Sequence, residues 1–271
     1  MSTQIQTTER EANLVETAHV RPMMGIDVLE PVPAPNVPYE LSDPFILVHE
    51  ATVPITPERS EVDTTHPHRG FDNLWYILSG AASTGHSTGP GGAFERARLM
   101  TGDLLKIRTG RGVYHAENIG EDELREGTTG EFRSVLFWVN LARRDKHVEP
   151  TAQVARAREL PTRRNGAIVR TLVGPGSPVE LGTPALILDV ELPEGGMLSQ
   201  PISAEFNALV WMLEGEAAIG SNGQRARGSQ IAVLDSGAAL TVAEATPGTR
   251  FMLMAGKPYG ERPIYNGPYV D

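Results

Sequence analysis

The sequence contains no cysteine, few aromatic residues and no long hydrophobic run. Without cysteine among its 271 residues, the chain forms no disulfide, has no thiolate nucleophile and offers no sulfur ligand to a metal. No stretch reaches about 18 consecutive apolar residues, which argues against a membrane-spanning helix. The N-terminal region also lacks the apolar segment of a secretory signal. We therefore expect a soluble cytoplasmic protein in which any metal is held by nitrogen and oxygen.

Acidic side chains outnumber basic ones. The chain has 34 Asp and Glu residues against 24 Lys and Arg residues, giving a formal net charge of −10. A phosphate backbone or an anionic membrane surface is repelled by this charge. We therefore expect neither direct nucleic-acid binding nor membrane binding.

Turn-forming residues are frequent, with 28 Gly and 21 Pro. They separate short apolar segments of strand length, a pattern typical of antiparallel barrels and sandwiches. The sequence therefore predicts an all-β protein.

An internal repeat divides the chain. The segment LWYILSG at 74–80 matches LVWMLEG at 209–215, an offset of 135 residues. Similar segments precede and follow this match: PFILVHEATV (44–53) with PALILDVELP (184–193), and RLMTGDLLKI (98–107) with GQRARGSQIAVL (223–234). We expect two antiparallel β-barrels, 19–156 and 157–271, the second with a C-terminal tail, after a loosely held polar arm at 1–18. Because both barrels lie in one chain, we expect a monomer.

The first copy of the repeat contains two pairs of polar residues with the spacing of one strand face. His66 and His68 flank a proline in TTHPHRGF, and His115 and Glu117 lie in VYHAEN. In an extended strand, residues i and i+2 point to the same side. Three imidazoles and one carboxylate on neighbouring strands can surround one ion, so the sequence predicts a metal site. The alternative is that these are ordinary polar residues in turns.

The second copy lacks these histidines. The offset of 135 places His66 on Pro201 and His68 on Ser203, and no histidine follows His147. Histidines needed only for packing would be expected in both copies. Their absence from the second copy indicates that they serve chemistry in the first barrel.

Several motifs in order resemble the pirin family of the cupin superfamily: HPHRGF, GRGVYHAE, WVNL at 138–141, SQPI at 199–202 and GPYV at 267–270. The resemblance spans roughly residues 20–270. It implies a bicupin, with iron held in the N-terminal barrel by His66, His68, His115 and Glu117, and a metal-free C-terminal barrel. The sequence departs from the family pattern at Asp72, at 106–108 and in a longer loop at 84–98.

The resemblance also implies an activity, cleavage of a flavonol by a dioxygenase of the quercetin 2,3-dioxygenase type. The expected cofactor is Fe(II); other divalent transition metals are alternatives, because affinity alone does not select iron. Glu117 would be both a metal ligand and the catalytic base. Four residues are candidates to pack on a flat aromatic substrate, although core packing is the alternative for each: Phe71, Trp75, Ile77 and Tyr114.

A second function is compatible with the same motifs. The chain would be a non-enzymatic, iron-dependent redox-sensing regulator that docks a partner protein, as pirins are also associated with regulatory roles. Arg69 and Arg111 would then contact the partner, or a substrate anion in the enzymatic interpretation, unless they are simply solvated charges in turns. His86 is a candidate to line the site, and we expect His49 to be hydrogen-bonded in the core or at its rim.

Overall fold

The structure, a computed structural model, describes residues 8–56, 63–119 and 130–271. Within them no helix is both long and apolar enough to span a membrane. In chain order the first strands are β1 (Ala12–Thr17), β2 (His19–Met23), β3 (Ile26–Val32), β4 (Phe45–Pro54), β5 (His66–His68), β6 (Phe71–Ser79), β7 (Ala81–His86), β8 (Glu95–Met100), β9 (Leu104–Arg108), β10 (Val113–Ile119), β11 (Glu131–Asn140) and β12 (Thr151–Ala155).

The later strands are β13 (Thr162–Arg164), β14 (Ile168–Val173), β15 (Ala185–Leu192), β16 (Leu198–Pro201), β17 (Asn207–Glu214), β18 (Glu216–Ile219), β19 (Gln224–Arg227), β20 (Gln230–Leu234), β21 (Ala239–Ala243), β22 (Thr249–Gly256), β23 (Tyr265–Asn266) and β24 (Tyr269–Val270). One short helix, α1 (Tyr39–Ser42), lies between β3 and β4. Short 3₁₀ turns occur at Pro90–Gly92, Arg143–Asp145 and Ala157–Glu159.

The described residues form two compact units. The first unit combines residues from 19–33, 45–159 and 259–271, and the second combines residues from 8–18, 34–44 and 160–258. Each unit contains one seven-stranded and one four-stranded antiparallel sheet, which confirms the all-β, two-barrel expectation. The units differ from the sequence-based division: residues 259–271 join the first unit, and residues 8–18 and 34–44 join the second.

The two units share one strand topology. The sheets of the first unit have the orders β12-β9-β6-β11-β4-β3-β2 and β5-β10-β7-β8. Those of the second unit have the orders β1-β20-β17-β22-β15-β14-β13 and β16-β21-β18-β19. The repeated segments LWYILSG and LVWMLEG therefore lie on equivalent central strands, β6 and β17.

Residues 8–18, the described part of the polar arm expected at 1–18, are not loosely held; residues 1–7 lie outside the described residues. Strand β1 pairs with β20 at the edge of the second unit's large sheet. The Arg10 side chain is 1% exposed. It donates hydrogen bonds of 2.7–2.8 Å to the backbone oxygens of Ser203, Phe206 and Asp235. Composition did not reveal this because an open sheet edge binds a strand mainly through its backbone.

The segment at 84–98 was expected to be a long loop, and most of it is a hairpin. Strand β7 continues to His86 and β8 begins at Glu95. The connecting loop is therefore 87–94, shorter than its Gly content suggested.

Strand pairing identifies the residues of the second unit that correspond to the predicted ligands. In the first unit, Glu117 on β10 lies opposite Thr84 on β7. In the second unit, Val242 on β21 lies opposite Ile219 on β18. Since Ile219 follows Thr84 by the repeat offset of 135, Val242 is the counterpart of Glu117.

The same comparison places the histidines. His115, two residues before Glu117, corresponds to Leu240, two residues before Val242. His66 lies opposite His115, and Gln200 lies opposite Leu240. The counterparts of His66, His68, His115 and Glu117 are therefore Gln200, Ile202, Leu240 and Val242.

The sequence offset had paired the first two histidines with Pro201 and Ser203, and this alignment was wrong by one residue. Pro201 and Ser203 are exposed, whereas Gln200 and Ile202 are buried. A shift of one residue moves a strand's side chains to the opposite face. The shift arises in the connection between β16 and β17, where a single offset no longer applies.

Candidate metal centre

Three histidines converge inside the first unit. Strands β5 and β10 are neighbours, and His66 lies directly opposite His115. Ligand atoms of His66, His68 and His115 all lie within 4.8 Å of one another. The Nε2 atoms of His66 and His115 are 3.0 Å apart. Two ligands at right angles on an ion, with bonds of about 2.1 Å, are separated by about 3.0 Å, so this spacing fits a single metal ion.

Backbone carbonyls fix which ring nitrogen faces the centre. Nδ1 of His66 donates to the carbonyl oxygen of Thr64 at 2.6 Å, and Nδ1 of His68 donates to that of Pro268 at 3.3 Å. Because Nδ1 carries the proton in both rings, Nε2 keeps its lone pair for a metal. Hydrogen bonds of this kind orient metal-binding histidines in general.

Burial keeps two of the histidines, His68 and His115, uncharged. It lowers the pKa of His68 to about 3, with the neighbouring His66 adding to the effect. Burial and the nearby imidazoles also lower the pKa of His115 well below its ordinary value. Metal ions bind the neutral imidazole. His68 and His115 can therefore bind a divalent metal ion without first losing a proton.

Glu117 lies beside this cluster. It follows His115 on the same face of β10, and its Oε1 atom is 3.9 Å from Nδ1 of His115. Within the described part of the chain, Oε1 is buried and has no hydrogen-bond partner. Burial raises the pKa of Glu117 to about 7. The structure thus brings the three histidines together and leaves the carboxylate next to them, so Glu117 as fourth ligand stays a prediction.

Aromatic rings form the wall next to His68. Its ring centroid is 5.2 Å from that of Phe71 and 4.9 Å from that of Trp138. Phe71 and Trp138 stack on each other at 4.2 Å. Sequence reasoning named Phe71 but missed Trp138, although it lies in the WVNL motif. The wall of the site is therefore built from β6 and β11 as well as from the ligand strands.

The other candidate wall residues lie in the hydrophobic core or are exposed. Trp75 and Ile77 pack in the hydrophobic core of the first unit with Phe132. This agrees with the alternative interpretation of these two residues as core. Tyr114 is 56% exposed, because it alternates with the inward-facing His115 and points to the other side of β10. Its assignment to the substrate wall was wrong.

Comparison with known proteins agrees with this architecture. Residues 28–139 match the family model described as Pirin, and residues 187–271 match Pirin C-terminal cupin domain. Human Pirin is 32% identical over 236 residues, which cover 84% of this chain and 76% of that protein. The chain belongs to the pirin family.

Two solved structures share the bicupin fold. One is a quercetin 2,3-dioxygenase from Acinetobacter baumannii, with a TM-score of 0.83 and 24% identity, covering 97% of this chain and 92% of that one. Another is the bacterial pirin YhhW from Escherichia coli in complex with nickel(II), with a TM-score of 0.67 and 16% identity, covering 92% and 98%. At these identities the likeness concerns the fold.

In this pirin, the C-terminal hairpin of β23 and β24 supports the turn that follows the two histidines of β5. The Val270 amide donates to the carbonyl oxygen of Arg69 at 2.9 Å. The Arg69 guanidinium donates to both carboxylate oxygens of Asp271, at 2.7 and 2.8 Å. Since Pro268 of the same hairpin accepts from His68, the segment holds the His68 ring as well as the turn.

The two arginines considered for anion or partner binding are both in ion pairs. Arg69 is bound by Asp271. Arg111 forms an exposed pair with Glu149 at 2.8 Å. A substrate anion or a partner protein would have to compete with these carboxylates.

Two residues that depart from the family pattern, Asp72 and Arg108, contact each other. Asp72 on β6 lies opposite Arg108 on β9. The Arg108 guanidinium donates to both Asp72 oxygens, at 2.9 and 3.1 Å. Asp72 lies between two inward-facing residues of β6, Phe71 and Asn73. Its side chain, and with it the ion pair, is therefore on the outer face of the sheet. The two residues therefore form an ion pair with each other, away from the histidines.

Two other histidines of the first unit, His86 and His49, have partners of their own. His86 lies opposite His115, and its Nδ1 atom is 2.9 Å from the Thr88 hydroxyl. His49 is buried and hydrogen-bonded to the buried Glu30 carboxylate, which confirms the expectation for this residue. Neither belongs to the converging group.

The second unit replaces the predicted ligand set with core residues. Gln200, the counterpart of His66, is 8% exposed. The other three counterparts, Ile202, Leu240 and Val242, belong to the hydrophobic core cluster of that unit and are at most 4% exposed. The same topology thus carries a polar centre in one unit and a packed apolar core in the other.

Proposed function

We propose that this pirin is a metal-dependent dioxygenase that cleaves flavonols, of the quercetin 2,3-dioxygenase type. The observation that carries the proposal is the convergence of three imidazoles beside a buried carboxylate oxygen in one barrel. Fold likeness to a quercetin 2,3-dioxygenase motivates the choice of substrate class. The main support for the proposal is the set of residues at the site.

We propose Fe(II) as the ion, with His66, His68, His115 and Glu117 as ligands. Mixed imidazole and carboxylate ligands suit iron and other divalent transition metals. The bound ion would supply a Lewis acid for the substrate's oxygen atoms and redox chemistry toward dioxygen.

Glu117 is the catalytic base in this proposal. Its pKa of about 7 lies near the operating pH, where a general base is most effective. It would accept the proton of the flavonol 3-hydroxyl at a carboxylate oxygen. Phe71 and Trp138, next to His68, would orient the flat rings and exclude water.

The first experiment is anaerobic purification with metal analysis, followed by oxygen uptake with quercetin. We expect about one iron per chain, with oxygen consumption and carbon monoxide release. One bound iron without oxygen uptake would contradict the enzymatic proposal and favour the redox-sensing regulator that docks a partner protein. A chain that binds no metal would contradict both.

Glu117→Gln tests the proposed base. Glutamine keeps the shape and one oxygen but cannot accept the proton. We expect the variant to retain metal and to lose activity by about 10²- to 10⁴-fold. Metal content and oxygen uptake are measured on the same sample, and full activity would contradict the assigned role.

A further inference from the structure

Two polar side chains face each other across the inner wall of the first barrel. Asn73 on β6 and Trp138 on β11 are directly opposite in the strand pairing. Asn73 shares the inward face of β6 with Phe71 and Trp75, and Trp138 shares that of β11 with Leu136. Side chains at opposite positions of an antiparallel pair are about 4.5–5.5 Å apart at Cβ. The two residues therefore form one polar patch.

Each of them carries a buried atom that has no hydrogen-bond partner in the described part of the chain. These atoms are Oδ1 of Asn73, an acceptor, and Nε1 of Trp138, a donor. Asn73 is only 2% exposed. Leaving a buried polar group unpaired costs about 1–3 kcal/mol. Groups kept at this cost are those for which a ligand or function supplies the partner.

The patch adjoins the metal centre. The Trp138 ring centroid is 4.9 Å from that of His68. Trp138 and Leu136 are only partly buried, although they face the inside of the barrel. Part of the Trp138 side of this wall is therefore exposed, while the two unpaired atoms themselves are buried.

The second unit shows that the fold does not require polar residues here. By the offset of 135, Asn73 corresponds to Ala208 on β17. Ala208 lies opposite Ala255 on β22, so Ala255 is the counterpart of Trp138. Ala208 is 1% exposed and Ala255 is 0% exposed. Both pack in the hydrophobic core cluster of that unit. A structural role for the polar pair would have been needed in both units.

We propose that Asn73 and Trp138 together bind one phenolic hydroxyl of the substrate, on a part of the flavonol that is not bound to the metal. A hydroxyl group both accepts and donates. The Trp138 indole N–H would donate to its oxygen, and Asn73 Oδ1 would accept its hydrogen. This inference rests on the proposed function, and it makes the two residues determinants of specificity for hydroxylated flavonols.

The test measures binding without turnover. Anaerobic, metal-loaded protein is titrated with quercetin and with 3-hydroxyflavone, which keeps the 3-hydroxyl and the 4-carbonyl but lacks the other hydroxyls. Trp138→Phe removes the indole N–H and keeps an aromatic ring, and Asn73→Leu removes the amide at similar volume. Each variant is expected to weaken quercetin binding by about 5- to 10-fold, the effect of one hydrogen bond. Binding of 3-hydroxyflavone should stay within about twofold.

Two further measurements separate this role from a structural one. Trp211→Phe in the second unit, where Trp211 is 0% exposed, should leave binding of both flavonols unchanged. Asn73→Leu should melt at or above the wild-type temperature without ligand, because an unpaired polar group has been removed. A lower melting temperature would indicate a structural role and overturn the inference.

The two proposals fail in different ways. If the wild type binds quercetin and the variants bind it equally well, the assignment of Asn73 and Trp138 is wrong and the flavonol proposal stands. If the metal-loaded wild type binds neither flavonol, the proposed substrate class is wrong, and the inference is overturned with it.

Discussion

Gly70 and Val270 approach so closely that no side chain fits between them. A Cβ atom on Gly70 would lie 1.8 Å from the carbonyl oxygen of Val270, and Gly70 has a φ of +91°. Substitution with alanine must therefore displace the C-terminal hairpin, and with it the Pro268 oxygen that accepts from His68. We expect Gly70→Ala to weaken metal binding at least tenfold, measured by competition with a chelator.

Gly91→Ala is the matched control. Gly91 also has a positive φ, +66°, but a Cβ atom there meets nothing within 4 Å. This variant bears a similar conformational cost without the clash, so its metal affinity should stay close to that of the wild type. Equal losses in both variants would contradict a role for the hairpin in holding His68.

Lys146 is expected to give the protein a distinct pH dependence. It is 3% exposed and donates hydrogen bonds to the Gly70 oxygen at 2.9 Å and the Asn140 side-chain oxygen at 2.8 Å. Burial lowers its pKa from 10.5 to about 8. Between pH 8 and 10.5 this lysine is mostly neutral in the folded chain and mostly protonated in the unfolded chain. The free energy of unfolding should therefore rise with pH, by up to about 1.4 kcal/mol per pH unit.

Lys146→Met isolates this effect. The variant loses both hydrogen bonds and is less stable overall, but the slope of its unfolding free energy between pH 8 and 10 should be smaller than that of the wild type. Urea denaturation at several pH values measures both slopes. Parallel curves would show that Lys146 does not titrate in this range.

Local patterns in the sequence were sufficient for the fold class and for the histidines. The i, i+2 spacing of His66 and His68 survives in the structure because a strand holds it, and the repeat identified equivalent strands correctly. The one-residue error that assigned Pro201 and Ser203 arose because insertions between strands change the offset. Only the pairing of β16 with β21 reveals it.

Contacts between distant parts of the chain were beyond sequence reasoning. The hydrogen bond from His68 to Pro268 joins residues 200 positions apart. GPYV was visible as a motif, but nothing local indicates what its backbone oxygen accepts. Asn73 and Trp138 were hidden for the same reason, since their relation appears only when β6 and β11 are paired.

The histidine cluster leads to a prediction about metal loading. We expect His115→Ala to abolish stoichiometric metal binding without unfolding the chain, because each unit keeps its own apolar core. His86→Ala is the control, since His86 lies opposite His115 but outside the converging group. Metal analysis and circular dichroism follow the two effects, and equal metal loss in both variants would show that the ligand set is wrongly drawn.

Arg10 should stabilise the second unit. Its guanidinium is buried and donates to three backbone oxygens. Arg10→Met leaves those oxygens unpaired, so we expect a loss of about 2–4 kcal/mol in the free energy of unfolding. Arg225→Met, which removes a 41% exposed side chain in ion pairs with Glu216 and Glu244, should cost much less, because solvent screens exposed ion pairs. Urea denaturation compares them, and similar losses would mean that Arg10 acts only as a surface charge.

The two units together predict what happens when one core is exchanged for the other. The four substitutions that copy the second unit into the first are His66→Gln, His68→Ile, His115→Leu and Glu117→Val. We expect this variant to fold, to bind no metal and to be at least as stable as the metal-free wild type.

The physical reason is that these side chains are costly without a metal. Glu117 and His115 each have a buried polar atom without a partner among the described residues, at about 1–3 kcal/mol for each. Apolar side chains of similar size remove that cost and fill the space. Four alanines at the same positions remove the polar atoms too, but they leave a cavity that lowers stability. The exchange variant should therefore melt above the alanine variant, and a lower melting temperature would show that the first barrel cannot accommodate the apolar core of the second.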